Sequence, residues 1–88
     1  MEIMHNENKF SLLAKGLEIG FLSYGIVDNI MYINGTVVDP KYRNKGLAKD
    51  LVLSATKYAR EKKLQVIPRC SYVVAMFDRG GFEDIDAR

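Results

Sequence analysis

The residues most able to do chemistry lie in two short segments. The first is Val37-Val38-Asp39-Pro40-Lys41-Tyr42-Arg43-Asn44-Lys45-Gly46-Leu47-Ala48, followed by Lys49. A β-branched run ends at Pro40, and a basic loop containing Gly46 then opens an amphipathic pattern. The N-terminus of a helix leaves backbone N–H groups unpaired and carries the positive end of the helix dipole. Phosphate is the natural ligand of that geometry. Gly46 lets the backbone approach an anion closely, small Ala48 keeps the first turn clear, and Arg43, Lys45 and Lys49 bring positive charge. The plainer alternative is a glycine turn with a solvated basic face. The second segment is Arg69-Cys70-Ser71-Tyr72. A thiol beside an arginine and near a helix start is placed for a lowered pKa and hence for nucleophilic attack. Against this, a free cysteine often does no more than pack.

Other candidates are weaker. His5 is the one residue with an unperturbed pKa near neutrality, but it falls in an N-terminal stretch expected to fray. Glu18, Asp28 and Asp39 read as exposed turn charges. Tyr42 and Tyr58 read as packing residues with wet hydroxyls. A single histidine and a single cysteine exclude multi-histidine and multi-cysteine metal centres, and no metal is expected.

These segments have to be held by a small scaffold. Asn8–Ala14, Ile19–Gly25 and Ile30–Val38 read as three strands joined by turns at Lys15-Gly16 and Val27-Asp28-Asn29, an antiparallel meander. The third is expected to be buried on much of both faces. Leu47, Ala48, Leu51, Val52, Ala55, Tyr58 and Ala59 then keep helical spacing, giving a helix over about Lys45–Lys63. Leu64–Pro68 is a short strand ended by proline, parallel to the third because a helix connects them. Tyr72–Asp78 reads as a short helix stopped by Arg79-Gly80-Gly81, with Phe82 and Ile85 able to fold a tail back. The fold class is α+β, in the order β-β-β-α-β-α, with helices packed on a mixed, mostly antiparallel sheet.

Length and composition agree with one compact domain over residues 1–88. Hydrophobic residues are 48% and charged residues 27%, which excludes a disordered tail or a disulfide scaffold. The longest apolar run, Tyr72 to Phe77, is far short of the ~20 residues that span a bilayer, so no membrane partner is expected. A lone cysteine and no secretory signal point to the cytoplasm. The net charge is +2 and is uneven, −1 over residues 1–44 and +3 over 45–88. Lys57, Arg60, Lys62 and Lys63 complement a helix C-terminus, and nucleic-acid binding finds little support.

Arg43-Asn44-Lys45-Gly46-Leu47-Ala48 resembles the R/Q-x-x-G-x-G/A signature of the Gcn5-related N-acetyltransferases, and Val38, Pro40 and Leu51 extend the match. The sequence is similar to the compact, single-domain YjdJ-type branch of that superfamily, from Asn8-Lys9-Phe10 through Ile67-Pro68-Arg69-Cys70-Ser71-Tyr72. The resemblance implies acetyl-CoA as cosubstrate and an amine as acceptor. It implies that Val37 and Val38 backbone groups bond the pantetheine arm like an added strand. Backbone N–H groups from Asn44 to Lys49 would hold the pyrophosphate with help from Arg43 and Lys45, and the adenosine end would lie near Lys49. Cys70 would face the thioester and could accept the acetyl group, and Tyr72 could protonate the leaving thiolate. The alternative is a CoA-binding module or sensor without turnover.

Overall fold

The computed structural model describes residues 1–88. Four strands form a meander: β1 Glu2–Asn6, β2 Lys9–Ala14, β3 Leu17–Val27 and β4 Ile30–Val38. A 3-10 turn at Pro40–Tyr42 leads to α1, Leu47–Glu61, and then come β5, Gln65–Pro68, and α2, Ser71–Asp78. The sheet order is β1-β2-β3-β4-β5, antiparallel except for the β4–β5 pair. The sequence order β-β-β-α-β-α therefore lacks one strand, because the first six residues pair with β2 instead of fraying. Only Ile3 and His5 of β1 face the packed side, opposite Leu12 and Phe10, so the strand carries almost no apolar pattern. His5 stacks on the Phe10 ring at 4.0 Å and meets Tyr58 of α1 edge-on at 4.4 Å. The Tyr24 hydroxyl donates to the Glu7 carbonyl at 2.6 Å, so the hydrogen shared with His5 Nε2 comes from the imidazole.

Two β-bulges set which residues point inward. Leu12 pairs with Gly20 and Leu13 with Glu18, leaving Ile19 as the extra residue in β3. Tyr24 pairs with Ile33 and Ser23 with Gly35, leaving Asn34 as the extra residue in β4. Directly opposed residues share a face. Phe10, Leu22, Tyr24, Met31 and Ile33 thus join one layer, closed by Leu51, Val52, Ala55 and Ala59 of α1 and by Val73, Met76 and Phe77 of α2. The expectation that β4 would be buried on both faces is corrected: Met31 and Ile33 are fully buried, while Ile30 and Tyr32 between them are half-exposed. The Arg69 guanidinium covers the Tyr32 ring at 4.6 Å.

The helix predicted over Lys45–Lys63 is shorter at both ends. Gly46, at φ +73°, holds the N-cap position, and Lys63, at φ +58°, turns the chain out after Lys62. The tail folds back as expected. Phe82 stacks on Phe77 at 4.6 Å, and Ile85 is buried. The tail also adds a parallel bridge to the free side of β5, with Val66 N–H donating to the Ile85 carbonyl at 2.7 Å and Ala87 N–H donating to the Val66 carbonyl at 2.9 Å. Arg60 of α1 pins it, donating to both Asp84 carboxylate oxygens at 2.8 and 3.0 Å and to the Gly81 carbonyl at 3.2 Å. No helix is long and apolar enough to cross a membrane.

Candidate functional site

β4 and β5 pair only from Ile30–Gln65 to Ile33–Pro68. Pro68 has no N–H to continue the ladder, and the chain then leaves through Arg69 into α2. On the other side of that junction β4 bulges at Asn34 and runs on to Val38, bonded to β3 alone. The two parallel strands thus part, and a cleft of about 440 Å³ opens where they separate. Its walls are Thr36, Val37 and Val38 of β4, Tyr42, Arg43, Asn44 and Gly46 of the loop, Leu47 and Ala48 of α1, and Tyr72 of α2.

The loop leads into α1 with an unusual backbone. Asp39 caps the 3-10 turn by accepting the Lys41 N–H at 2.9 Å, and Pro40 starts that turn. Asn44 and Gly46 both have left-handed backbone, at φ +65° and +73°. A Cβ added at Gly46 would meet nothing within 4 Å, so packing does not demand glycine there; the backbone angle does, together with open space above it. No side chain caps α1, and its first hydrogen bond runs from Asp50 N–H to the Gly46 carbonyl. The N–H groups before it have no partner within the helix.

Of the residues singled out in the sequence, Val37, Val38, Arg43, Asn44, Gly46, Leu47, Ala48 and Tyr72 converge on this cleft. The other three lie apart. The Lys45 ammonium sits over the Tyr42 ring at 5.8 Å instead of lining the wall. Lys49 lines a second groove of about 410 Å³ between α1 and α2, with Arg60, Arg79 and Tyr72. Cys70 is the N-cap residue of α2, half-buried against the core and outside the cleft lining. Arg69 N–H, one residue before it, bonds the Ile33 carbonyl at 2.9 Å.

The weaker candidates fall elsewhere. Glu18 pairs with Lys9 at 2.9 Å, and that hydrogen bond holds its carboxyl below the usual range. Asp28 sits in the β3–β4 turn with left-handed backbone. No carboxylate or imidazole lines the cleft. Thr36 and Tyr42 are cleft residues that the sequence reading passed over as a site. Thr36 Oγ1 is shut off from solvent and has no hydrogen-bond partner.

Residues 9–85 match the family profile described as GCN5-related N-acetyl-transferase. The chain belongs to that family. A Staphylococcus aureus protein described as GCN5-like is 28% identical, with a TM-score of 0.79 over 97% of this chain and 86% of its own. The PaiA N-acetyltransferase of Thermoplasma acidophilum, solved with coenzyme A, is 22% identical with a TM-score of 0.69 over 83% of this chain. An aminoglycoside acetyltransferase from an uncultured soil sample, solved with sisomicin, is 21% identical with a TM-score of 0.69 over 84%. The likeness to these last two is one of fold, and this chain spans only 49% and 57% of their lengths. Among curated proteins none matches the sequence. The α+β architecture of this GCN5-related acetyltransferase is that of its structural neighbours.

Proposed function

We propose that residues 1–88 act as one domain that transfers an acetyl group from acetyl-CoA to an amine, as a compact, YjdJ-type member of the family. The observation that carries this reading is the convergence of three features on one cleft: the unpaired end of β4, the uncapped N-terminus of α1 and the Tyr72 ring. Each suits a different part of the cosubstrate. Backbone N–H groups from Asn44 to Lys49 suit the pyrophosphate, and Arg43 and Lys45 neutralise its charge. The free side of β4 at Val37 and Val38 suits the amide groups of the pantetheine arm, which bond there as an added strand would. Lys49, in the first turn of α1, suits the adenosine end.

The arm then points its thioester toward the β5–α2 junction. In direct transfer, the lone pair of a neutral amine attacks the thioester carbonyl, the tetrahedral adduct collapses, and the C–S bond breaks. Tyr72 can protonate the departing thiolate, and the amine sheds its proton to water. In the two-step route, the Cys70 thiolate attacks first, giving acetyl-cysteine and free CoA, and the amine then takes the acetyl group from Cys70. That route requires the thiol of Cys70, which is not among the cleft-lining residues, to reach the thioester. The acceptor amine, on a small molecule or a protein, is delivered from outside the cleft.

A second reading, a CoA-binding module without turnover, is favoured by one observation: neither a carboxylate nor an imidazole lines the cleft to deprotonate the amine. Calorimetric titration of acetyl-CoA, with adenosine diphosphate as control, tests both readings. Saturable binding much tighter than the control supports them, and a flat titration at millimolar ligand removes them together. Release of free thiol with a panel of amines then separates enzyme from module.

A further inference from the structure

Thr36 carries an unmet demand. Its Oγ1 is withdrawn from solvent, yet no backbone or side-chain group bonds it. A buried hydroxyl without a partner is destabilising, so native chains seldom keep one without a use. The residue sits on β4 past the point where β5 departs, paired with Leu22 across β3 and lining the cleft. The residue as a whole is only half-buried and lines the cleft, so a staggered χ1 step can bring its hydroxyl to the cleft wall. The other β4 residues lining the cleft are Val37 and Val38.

We infer that Thr36 is a binding determinant for the acyl-pantetheine arm, its hydroxyl donating a hydrogen bond to a carbonyl of the bound thioester chain. This rests on the acetyl-CoA reading above and assigns a residue that reading does not use. Thr36 is the only residue with a polar side chain that β4 contributes to the cleft lining, while the phosphate loop lies at its mouth. Loss of the hydroxyl should therefore be felt by ligands that carry the arm and not by those that carry only the diphosphate.

The test is Thr36→Val, which keeps the shape and deletes the hydroxyl, with Thr36→Ser as the conservative control. Acetyl-CoA, 4′-phosphopantetheine and adenosine diphosphate are titrated by calorimetry, and thermal midpoints are recorded without ligand. The Val variant should weaken acetyl-CoA and 4′-phosphopantetheine about tenfold, leave adenosine diphosphate unchanged, and melt no lower than wild type. The Ser variant should bind acetyl-CoA like wild type. Unchanged acetyl-CoA affinity in the Val variant, or an equal loss for adenosine diphosphate, would overturn the assignment while leaving the acetyl-CoA reading in place. A Val variant that unfolds or melts lower would overturn it too, since the hydroxyl would then have had a structural partner. Failure of wild type to bind acetyl-CoA at all would overturn both.

Discussion

The backbone N–H of Arg69 donates to the carbonyl of Ile33 at 2.9 Å, and this bond is the last one joining β4 to the chain that leaves β5. Beyond it the cleft wall of β4 leans on β3 alone, and its tightest support is Gly20. A Cβ at Gly20 would stand 2.7 Å from the Val37 carbonyl oxygen and 3.3 Å from Val38 Cα. Gly20→Ala should therefore push the wall outward at an overpacking cost of about 1–3 kcal/mol. Chemical denaturation should show that loss. Acetyl-CoA affinity should fall by about tenfold, and a variant with wild-type stability and affinity would show that β4 yields freely.

The phosphate loop separates charge from backbone strain. Gly46→Ala adds a side chain at φ +73° but no charge, and open space surrounds its Cβ. It should cost roughly 1 kcal/mol of stability with a modest loss of affinity. Gly46→Glu adds the same strain plus a carboxylate where the pyrophosphate would lie. Its affinity for acetyl-CoA and for adenosine diphosphate should drop by a further tenfold or more. Equal affinities for the two variants would place the anion elsewhere.

Cys70 and Tyr72 are told apart by what accumulates. If the acetyl group passes through the thiol, Cys70→Ala should lower turnover by about a hundredfold or more and leave acetyl-CoA affinity unchanged. Mass spectrometry of wild type mixed with acetyl-CoA without an amine should then find acetylated Cys70. Tyr72→Phe should still form that adduct, more slowly. Full turnover by Cys70→Ala would establish direct transfer, in keeping with a thiol held outside the cleft lining.

Acid should loosen the tail. Hydrogen bonds from Arg60 hold the Asp84 carboxyl below the usual range, and those from Arg88 do the same for Asp86. A carboxyl whose folded pKa is depressed adds stability above its unfolded value, ~3.9, and loses it as pH falls through the folded value. Urea midpoints should decline below about pH 4. Asp84→Asn should lower the midpoint at neutral pH, and its curve should meet that of wild type near pH 2. Parallel curves at all pH values would mean that the pair contributes nothing, as exposed pairs sometimes do.

The parts of the fold visible in the sequence are those whose period is unbroken. Leu47 to Ala59 keeps helical spacing and is a helix; Gly46 and Pro68 end elements as their backbone chemistry requires. The alternation around Leu22 looks imperfect because Ile19 is bulged, and the β4 pattern hides the bulge at Asn34. β1 was missed because an edge strand with two inward residues has almost no pattern to show. The site divides the same way. The loop from Arg43 to Ala48 is contiguous and carries its chemistry in residue types. Thr36 is marked only by a buried hydroxyl, which is not written in spacing.

The Asn34 bulge works as a phase shifter. A side chain's face in a strand is a matter of odd and even, and one unpaired residue exchanges the two for everything that follows. Because of it, Thr36 and Val38 rather than Gly35 and Val37 look toward the helices. The chemistry of the wall is thus encoded partly in a residue count. Most single replacements at Asn34, an exposed position, should leave the wall intact. Pairing Asn34 with Ser23 in place of the bulge would turn Gly35 and Val37 toward the helices and Thr36 outward, whereas deleting Asn34 removes the extra residue and leaves Thr36 opposite Leu22.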